Sequence, residues 1–174
     1  MSFVRQRIVV IDTSIFCCWL KVPGKEEAGS GEGRWDFKRA NDFIDNEVRC
    51  GSTLVLPLAT VIEAGNHIAQ CSGDRYKLAE DLVGSLRRAS SACSPWASFH
   101  EQSVLWDEDG VSFLAKEWPG LAAAKISIGD ATIKAVAEYY ARAGFDVVIL
   151  TGDNGLKSYE PIAKPMMPRR RGGK

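Results

Sequence analysis

Four acidic residues stand where the secondary structure of this chain is predicted to begin or end. Asp12 and Asp153 each directly follow an apolar run rich in β-branched residues, and Glu63 and Asp130 lie near the starts of predicted helices. Carboxylate oxygens are the ligands that hard divalent cations prefer in proteins. Two such ions can clamp and hydrolyse a phosphodiester. The pattern therefore raises the hypothesis of a metal-dependent phosphodiesterase.

Each acid also has a purely structural interpretation. Thr60-x-x-Glu63 and Ser127-x-x-Asp130 match the capping box of a helix N-terminus. The other two acids fit an N-cap and a turn. Capping does not require the acids to lie near one another, whereas a cluster of carboxylates repels itself unless cations compensate it. Whether the four converge in space distinguishes the two interpretations.

The hydrophobic periodicity predicts strands that alternate with helices, which is typical of an α/β fold with a central parallel sheet. The predicted strands are 7–11, 54–58, a short one near 97–99, 145–150, and a brief edge strand near 160–163. The predicted helices are one beginning near Ile15, then 37–50, one opening at Thr60, 76–88, 111–118 stopped by Pro119-Gly120, and 130–142. The glycine-rich segment 24–34 is predicted to be a loop.

Composition indicates one soluble domain. The chain has 174 residues, of which 45% are hydrophobic and 25% charged, and its formal net charge is zero. We expect a single domain over residues 1–164 and a basic tail over 165–174. No apolar run suggests a membrane span, and the N-terminus leaves no room for a signal peptide, so we expect a cytoplasmic protein. The five cysteines are predicted to be reduced.

The order of the short motifs resembles the PIN domain, a family of metal-dependent ribonucleases that includes toxins of bacterial and archaeal toxin–antitoxin pairs (VapC-like). The matching segments, which span most of the chain, are Val9-Val10-Ile11-Asp12-Thr13-Ser14, Thr60-Val61-Ile62-Glu63, Gly129-Asp130-Ala131-Thr132-Ile133-Lys134-Ala135 and Leu150-Thr151-Gly152-Asp153.

The resemblance implies a three-layer α/β/α sandwich and an endoribonuclease that uses one or two Mg²⁺ or Mn²⁺ ions. By resemblance, the catalytic metal ligands are Asp12, Glu63, Asp130 and Asp153, and the supporting residues are Ser14, Thr151 and Asn154. RNA would be cut by a metal-activated water to leave a 5′-phosphate and a 3′-hydroxyl. An antitoxin protein and a second copy of the chain are the implied protein partners.

The segment 89–120 is longer and richer in tryptophan than a minimal domain of this type requires. Trp96, Trp106 and Trp118 fit either a platform for single-stranded bases or core and interface positions. The predicted phosphate contacts are scattered: Arg87, Arg88, Lys125, Lys134 and the tail.

Two other functions fit parts of the pattern. A haloacid-dehalogenase-like phosphatase would use Asp12 as a covalent nucleophile, but such enzymes place a second aspartate where this chain has Ser14. A PIN-like module that binds RNA or protein without cleavage is the non-catalytic alternative.

Overall fold

A three-stranded parallel sheet forms the centre of the molecule. The structure is a computed structural model, and it describes residues 6–162. The strands are β1 (Arg7–Ile11), β4 (Thr53–Val55) and β5 (Asp146–Leu150), and β1 lies between the other two. Both pairings are parallel, so all three strands end at the same edge. The prediction of an α/β fold with a parallel sheet is confirmed.

Seven α-helices surround this sheet within residues 6–162. They are α1 (Thr13–Trp19), α2 (Phe37–Arg49), α3 (Leu58–Gln70), α4 (Arg75–Ser90), α5 (Glu108–Ala123), α6 (Ile128–Arg142) and α7 (Asn154–Lys157). None of these helices combines the length and the apolar character needed to cross a bilayer.

Side chains of β1 alternate between two hydrophobic cores, one on each face of the sheet. Val9 and Ile11 pack with residues of α1, α2, α3 and α4. Ile8 and Val10 pack with α6, α7 and the other face of β5. Because all four side chains are at most 2% exposed, β1 is buried on both faces, which explains its unbroken apolar sequence.

The register of the sheet places the residues that follow β1 and β5 side by side. Ile11 is paired with Leu150, and the Asp12 N–H donates to the Leu150 carbonyl at 3.0 Å. Asp12 and Thr151 are therefore neighbours at the carboxyl edge of the sheet, where open α/β sheets bind their ligands.

The prediction of a loop over 24–34 is wrong. The segment contains β2 (Glu27–Ala28), which pairs antiparallel with β3 (Trp35–Asp36) to form a small ribbon. Arg34 forms an ion pair with Glu27 at 3.3 Å across this ribbon. Strands of two residues carry no readable periodicity, so local sequence does not signal them.

The predicted stop at Pro119 is also wrong, because α5 continues through this residue to Ala123. A proline removes one N–H donor but does not always end a helix, and beyond Gly120 the good helix formers Leu121, Ala122 and Ala123 complete α5. The helix ends instead in a Schellman motif, in which the Ile126 N–H donates to the Leu121 carbonyl at 2.9 Å. Lys125 takes the left-handed conformation that this ending needs, with φ of 66°.

The second strand is shorter than predicted, and the helix after it begins earlier. Strand β4 ends at Val55, and Pro57 precedes the first residue of α3, Leu58. Thr60 is therefore inside the first helical turn and cannot cap it, so the capping-box interpretation of Thr60 and Glu63 is wrong. The Thr60 hydroxyl, which is fully buried, instead donates to the Ile11 carbonyl at 2.8 Å.

Two short predicted strands are not present as strands in the described residues. Near 97–99 only a single bridge forms, between Leu54 and Trp96, and a 3-10 helix follows over Phe99–Leu105. Residues 160–162 are not in a strand. Ala163, the expected domain end at residue 164 and the basic tail lie outside the described residues.

Three predicted helices are confirmed with small shifts at their ends: α2, α4 and α6. In α6 the predicted inward face is buried, with Ile133, Val136, Ala137 and Tyr140 all at most 2% exposed. In α4, Leu82 is buried as expected, but Tyr76 is 76% exposed.

The bond between Thr60 and Ile11 supplies a stability prediction. Thr60→Val keeps the shape of the side chain but leaves the buried Ile11 carbonyl without this donor. We expect the free energy of unfolding to fall by about 1–3 kcal/mol, the usual penalty for a buried unsatisfied group. Urea denaturation measures the change, and Thr60→Ser, which keeps the hydroxyl, should lose less. Equal losses in the two variants would contradict the role of the hydroxyl.

Candidate metal centre

One pocket at the carboxyl edge of the sheet collects the predicted acidic residues. Its volume is about 390 Å³, and the four predicted acids all line it together with Ser14. The acids come from four places in the chain: the start of α1, the middle of α3, the start of α6 and the start of α7. The structure therefore brings together residues that are up to 141 positions apart, as between Asp12 and Asp153.

Asp12 is the most deeply buried of the four acids, with 5% of its surface exposed. It is the N-cap of α1, and its Oδ1 accepts a hydrogen bond from the Thr13 N–H at 2.6 Å. Its Oδ2 accepts from the Ser14 hydroxyl at 2.6 Å and from the Thr151 hydroxyl at 2.8 Å. Burial raises the pKa of Asp12, the hydroxyl hydrogen bonds oppose that shift, and the negative charge of Asp130 adds to it.

Glu63 is held in the pocket by a hydroxyl from the neighbouring helix and by a glycine that makes room for it. Thr13 Oγ1 donates to Glu63 Oε2 at 2.8 Å. A Cβ atom on Gly129 would overlap Glu63 Oε1. The absence of a side chain at Gly129 therefore lets α6 approach the Glu63 carboxylate, which explains a glycine directly before Asp130.

The capping box predicted for Ser127 and Asp130 is formed only in part, because Ser127 is the N-cap of α6 but the Asp130 carboxylate accepts from the Ser127 hydroxyl. The Asp130 N–H donates to Ser127 Oγ at 3.0 Å, and the Ser127 hydroxyl donates to Asp130 Oδ2 at 2.8 Å. The negative charge of Asp130 raises the pKa of Asp12, as expected for two carboxylates that line one pocket. The Ser127 hydroxyl thus caps the helix, whereas the Asp130 carboxylate accepts from that hydroxyl and lines the acidic pocket.

Asp153 is the N-cap of α7, the turn role that its sequence context predicted. Its Oδ1 accepts from the Gly155 N–H at 2.6 Å, and its own N–H donates to Thr151 Oγ1 at 2.9 Å. Thr151 does not line the pocket, but it joins Asp12 to the backbone of Asp153. Asn154 is exposed at the start of α7 and does not line the described pocket.

The donor atoms of the pocket suit a hard cation better than a soft one. Besides carboxylates and hydroxyls, the pocket contains the imidazole of His67 and one thiol, that of Cys17, whose pKa burial raises to about 12. A thiol that stays protonated is a poor metal ligand. Among residues 6–162, no three His, Cys, Asp or Glu side chains are grouped closely enough to hold an ion in the present arrangement. Each acid is instead held by hydroxyl or backbone donors.

Besides Cys17, three further charged or titratable residues line the same pocket without having been predicted as part of it. Lys25 and Glu27 come from the ribbon segment, and His67 lies one turn after Glu63 on α3. The helical spacing between Glu63 and His67 indicated that His67 could lie near the acids. The favoured interpretation of His67 was nevertheless a plain surface histidine. For Lys25 and Glu27 no local signal existed, because the ribbon itself was predicted to be a loop.

The three tryptophans of the segment 89–120 do not form a common platform. Trp96 is a core residue, 5% exposed, and its ring lies 6.4 Å from that of Trp19. Trp118 is half-buried, whereas Trp106 is 39% exposed beside an apolar cleft. The core interpretation is therefore confirmed for Trp96.

Comparison of the chain with protein-family models, with curated proteins and with solved structures gives no match.

The raised pKa of Asp12 supplies a pH prediction. A carboxyl group whose pKa is higher in the folded protein than in the unfolded chain destabilises the fold progressively as pH rises through that interval. The variant Asp12→Asn lacks this ionisation and keeps an N-cap oxygen. In chelator-treated buffer, we expect the variant to gain thermal stability relative to wild type as pH rises from about 3.8, the usual Asp value, towards neutrality.

Thermal unfolding of both proteins across this pH range measures the difference in Tm. A difference that stays constant, or that falls with rising pH, would contradict a destabilising Asp12 carboxylate.

Proposed function

We propose that the protein is a Mg²⁺- or Mn²⁺-dependent endoribonuclease of the PIN type, with a three-layer α/β/α fold. The observation that carries the proposal is the convergence of Asp12, Glu63, Asp130 and Asp153 on one pocket at the carboxyl edge of the sheet. A structural role for each acid separately would not require this convergence. When bound, the ion or ions supply an activated water and stabilise charge on the phosphate.

The roles of the protein residues follow from their environments. Asp12, fixed by three donors, is the anchoring ligand around which the others arrange. Glu63, Asp130 and Asp153 are less buried and line the same pocket, and they would supply the remaining carboxylate oxygens to a bound cation after small side-chain movements. Ser14 and Thr151 act through Asp12, because each donates to its Oδ2 and so orients the carboxylate, whose one remaining lone pair is on Oδ1. Asn154 is exposed and does not line the pocket, so its proposed role is to support the metal ligands from outside the pocket.

Ser14 also bears on the phosphatase alternative. A haloacid-dehalogenase-like mechanism needs an acid at this position to protonate the leaving group. Here the position carries a hydroxyl that donates to Asp12 at 2.6 Å and accepts from the Gly152 N–H at 3.2 Å. The Ser14 hydroxyl thus holds the carboxylate that would have to act as the nucleophile, which favours a ligand role for Asp12 over a covalent one.

We further propose that the protein is the toxin of a toxin–antitoxin pair, acts in the cytoplasm and has an antitoxin and a second copy of itself as partners. A toxin of this kind stops growth when it is expressed alone and is silenced by a protein encoded beside it. Expression of the wild-type chain and of an Asp12→Asn variant in the same host tests this role. Normal growth with the wild type would favour a nuclease of RNA maturation or decay.

Cleavage of single-stranded RNA is the direct test of the proposed activity. We expect Asp12→Asn or Asp130→Asn to lower kcat/KM by more than about 100-fold, since even residues behind the ligands of a metal typically contribute 10–100-fold. Chelator should abolish cleavage, and Mg²⁺ or Mn²⁺ should restore it. Asp81→Asn, which removes an exposed acid paired with Lys77, is the matched control and should leave cleavage unchanged. Full cleavage by Asp12→Asn would refute the proposal.

The close packing of Gly129 against Glu63 allows a test of metal binding that does not depend on turnover. Gly129→Ala places a Cβ atom where Glu63 Oε1 now lies, so we expect Mn²⁺ affinity to fall about 10- to 100-fold as Glu63 is displaced. Isothermal titration with MnCl₂ measures it. Gly65→Ala, whose Cβ meets open space on α3, is the control and should bind Mn²⁺ like wild type. Equal affinities in all three proteins would remove Glu63 from the ligand set.

A further inference from the structure

The ribbon formed by β2 and β3 is one wall of the acidic pocket. Lys25, Glu27, Ala28 and Gly29 of this segment line the pocket together with the four acids. The wall is joined to α1 by a hydrogen bond from the Cys18 thiol to the Glu26 carbonyl, at 3.1 Å. The residues of this wall are therefore held in position relative to α1, the helix that Asp12 caps.

A close contact between two glycines fixes the other side of the ribbon to the sheet edge. A Cβ atom added to Gly29 would lie 2.9 Å from the Gly152 carbonyl oxygen, and one added to Gly152 would lie 2.6 Å from the Gly29 nitrogen. Gly29 also has a φ of 78°, which favours glycine. The ribbon thus lies directly against the residue that precedes Asp153.

Lys25 brings a positive charge to this wall. It is the one lysine or arginine that lines the described pocket, alongside five carboxylates, those of Asp12, Glu27, Glu63, Asp130 and Asp153. Its charge favours the thiolate form of Cys17, against the burial that raises the pKa of that thiol. Lys25 thus lines the same pocket as Cys17 and the carboxylates, although the residue as a whole is exposed to solvent.

No ion pair engages Lys25 within residues 6–162. Lys38, Lys77, Lys134 and Lys157 are each paired with a carboxylate three or four positions further along the chain. The Lys25 backbone N–H donates to the Val22 carbonyl at 2.9 Å and holds the start of its side chain beside the pocket. An ammonium group that is close to carboxylates but paired with none is available to an incoming anion.

We propose that Lys25 binds a backbone phosphate of the RNA next to the bond that is cleaved. This inference rests on the proposed ribonuclease function. An RNA chain entering a pocket with five carboxylates is repelled, and cations at the metal centre compensate only at the cleaved phosphate. A lysine provides a compact charge on a flexible stem, which suits a phosphate whose position varies with sequence. Such a contact contributes affinity without reading the bases.

Binding of a labelled single-stranded RNA, followed by fluorescence anisotropy in MnCl₂, tests the proposal without turnover. The Asp12→Asn protein serves as the background, and Lys25→Gln is added to it. We expect affinity to fall about 5- to 10-fold for RNAs of unrelated sequence. The slope of log K against log salt should fall by about 0.7, the value for one lost contact with single-stranded nucleic acid.

Two variants serve as controls in the same background. Lys38→Gln removes one positive charge from the exposed face of α2, outside the pocket, and should leave both affinity and slope unchanged. Lys25→Arg keeps a charge at the pocket and should restore most of the affinity. Unchanged RNA binding by Lys25→Gln, or an equal loss in Lys38→Gln, would overturn the proposal.

Cleavage kinetics of the wild type and of Lys25→Gln, both with Asp12 intact, separate a role of Lys25 in substrate binding from a general structural role. We expect Lys25→Gln to raise KM with little change in kcat, the pattern of a lost binding contact. A lower kcat and altered Mn²⁺ affinity with unchanged KM would instead assign Lys25 to charge balance among the carboxylates and overturn the proposal. Absence of cleavage by the wild type refutes the ribonuclease function, whereas unchanged RNA binding refutes only the role of Lys25.

Discussion

The buried carboxylate of Asp12 is the constraint on which the rest of the structure depends. A charge with 5% exposure at the end of the central strand is unfavourable unless several donors surround it. Three donors do so here: the Thr13 N–H and the hydroxyls of Ser14 and Thr151. Two of these are local to α1, but the third comes from the end of β5. The parallel register of β1 and β5 is therefore required by the electrostatics of Asp12 as well as by the packing of the cores.

The three residues at the junction of β1 and α1 tie the surrounding elements together. The Ile11 carbonyl accepts from Thr60 on α3, the Asp12 backbone bonds to Leu150 on β5, and the Thr13 hydroxyl donates to Glu63 on α3. Helix α3 is thus attached to the junction at two places one helical turn apart. This double attachment aligns Glu63 with Asp12, although the two are 51 positions apart in the chain.

The sequence predicted what depends on strong local patterns and missed what depends on distant contacts. Local patterns predicted the β-branched strands, the long amphipathic helices and the contact between Ser127 and Asp130. They also allowed the acids at the ends of these elements to be assigned to one sheet edge. The ribbon could not be predicted, because its two-residue strands are held by an ion pair and by the approach of Gly29 to Gly152. Lys25 was missed for the same reason, since its position follows from the ribbon. At Pro119-Gly120 a local rule failed, because the helix formers Leu121, Ala122 and Ala123 continue α5 beyond both residues.

The structural and chemical interpretations of the acids prove not to be alternatives. Asp12 and Asp153 each cap a helix, the structural role that was offered against a functional site, and Asp130 accepts from the capping residue Ser127; these contacts fix where the three carboxylates lie. Because a cap binds only part of a carboxylate, lone pairs remain for a cation while the backbone holds the group in place. Glu63 caps nothing and is held by Thr13 and by the space at Gly129. Helix stability therefore does not explain the position of Glu63. Of the four acids, Glu63 is the one whose placement argues most strongly for chemistry at this pocket.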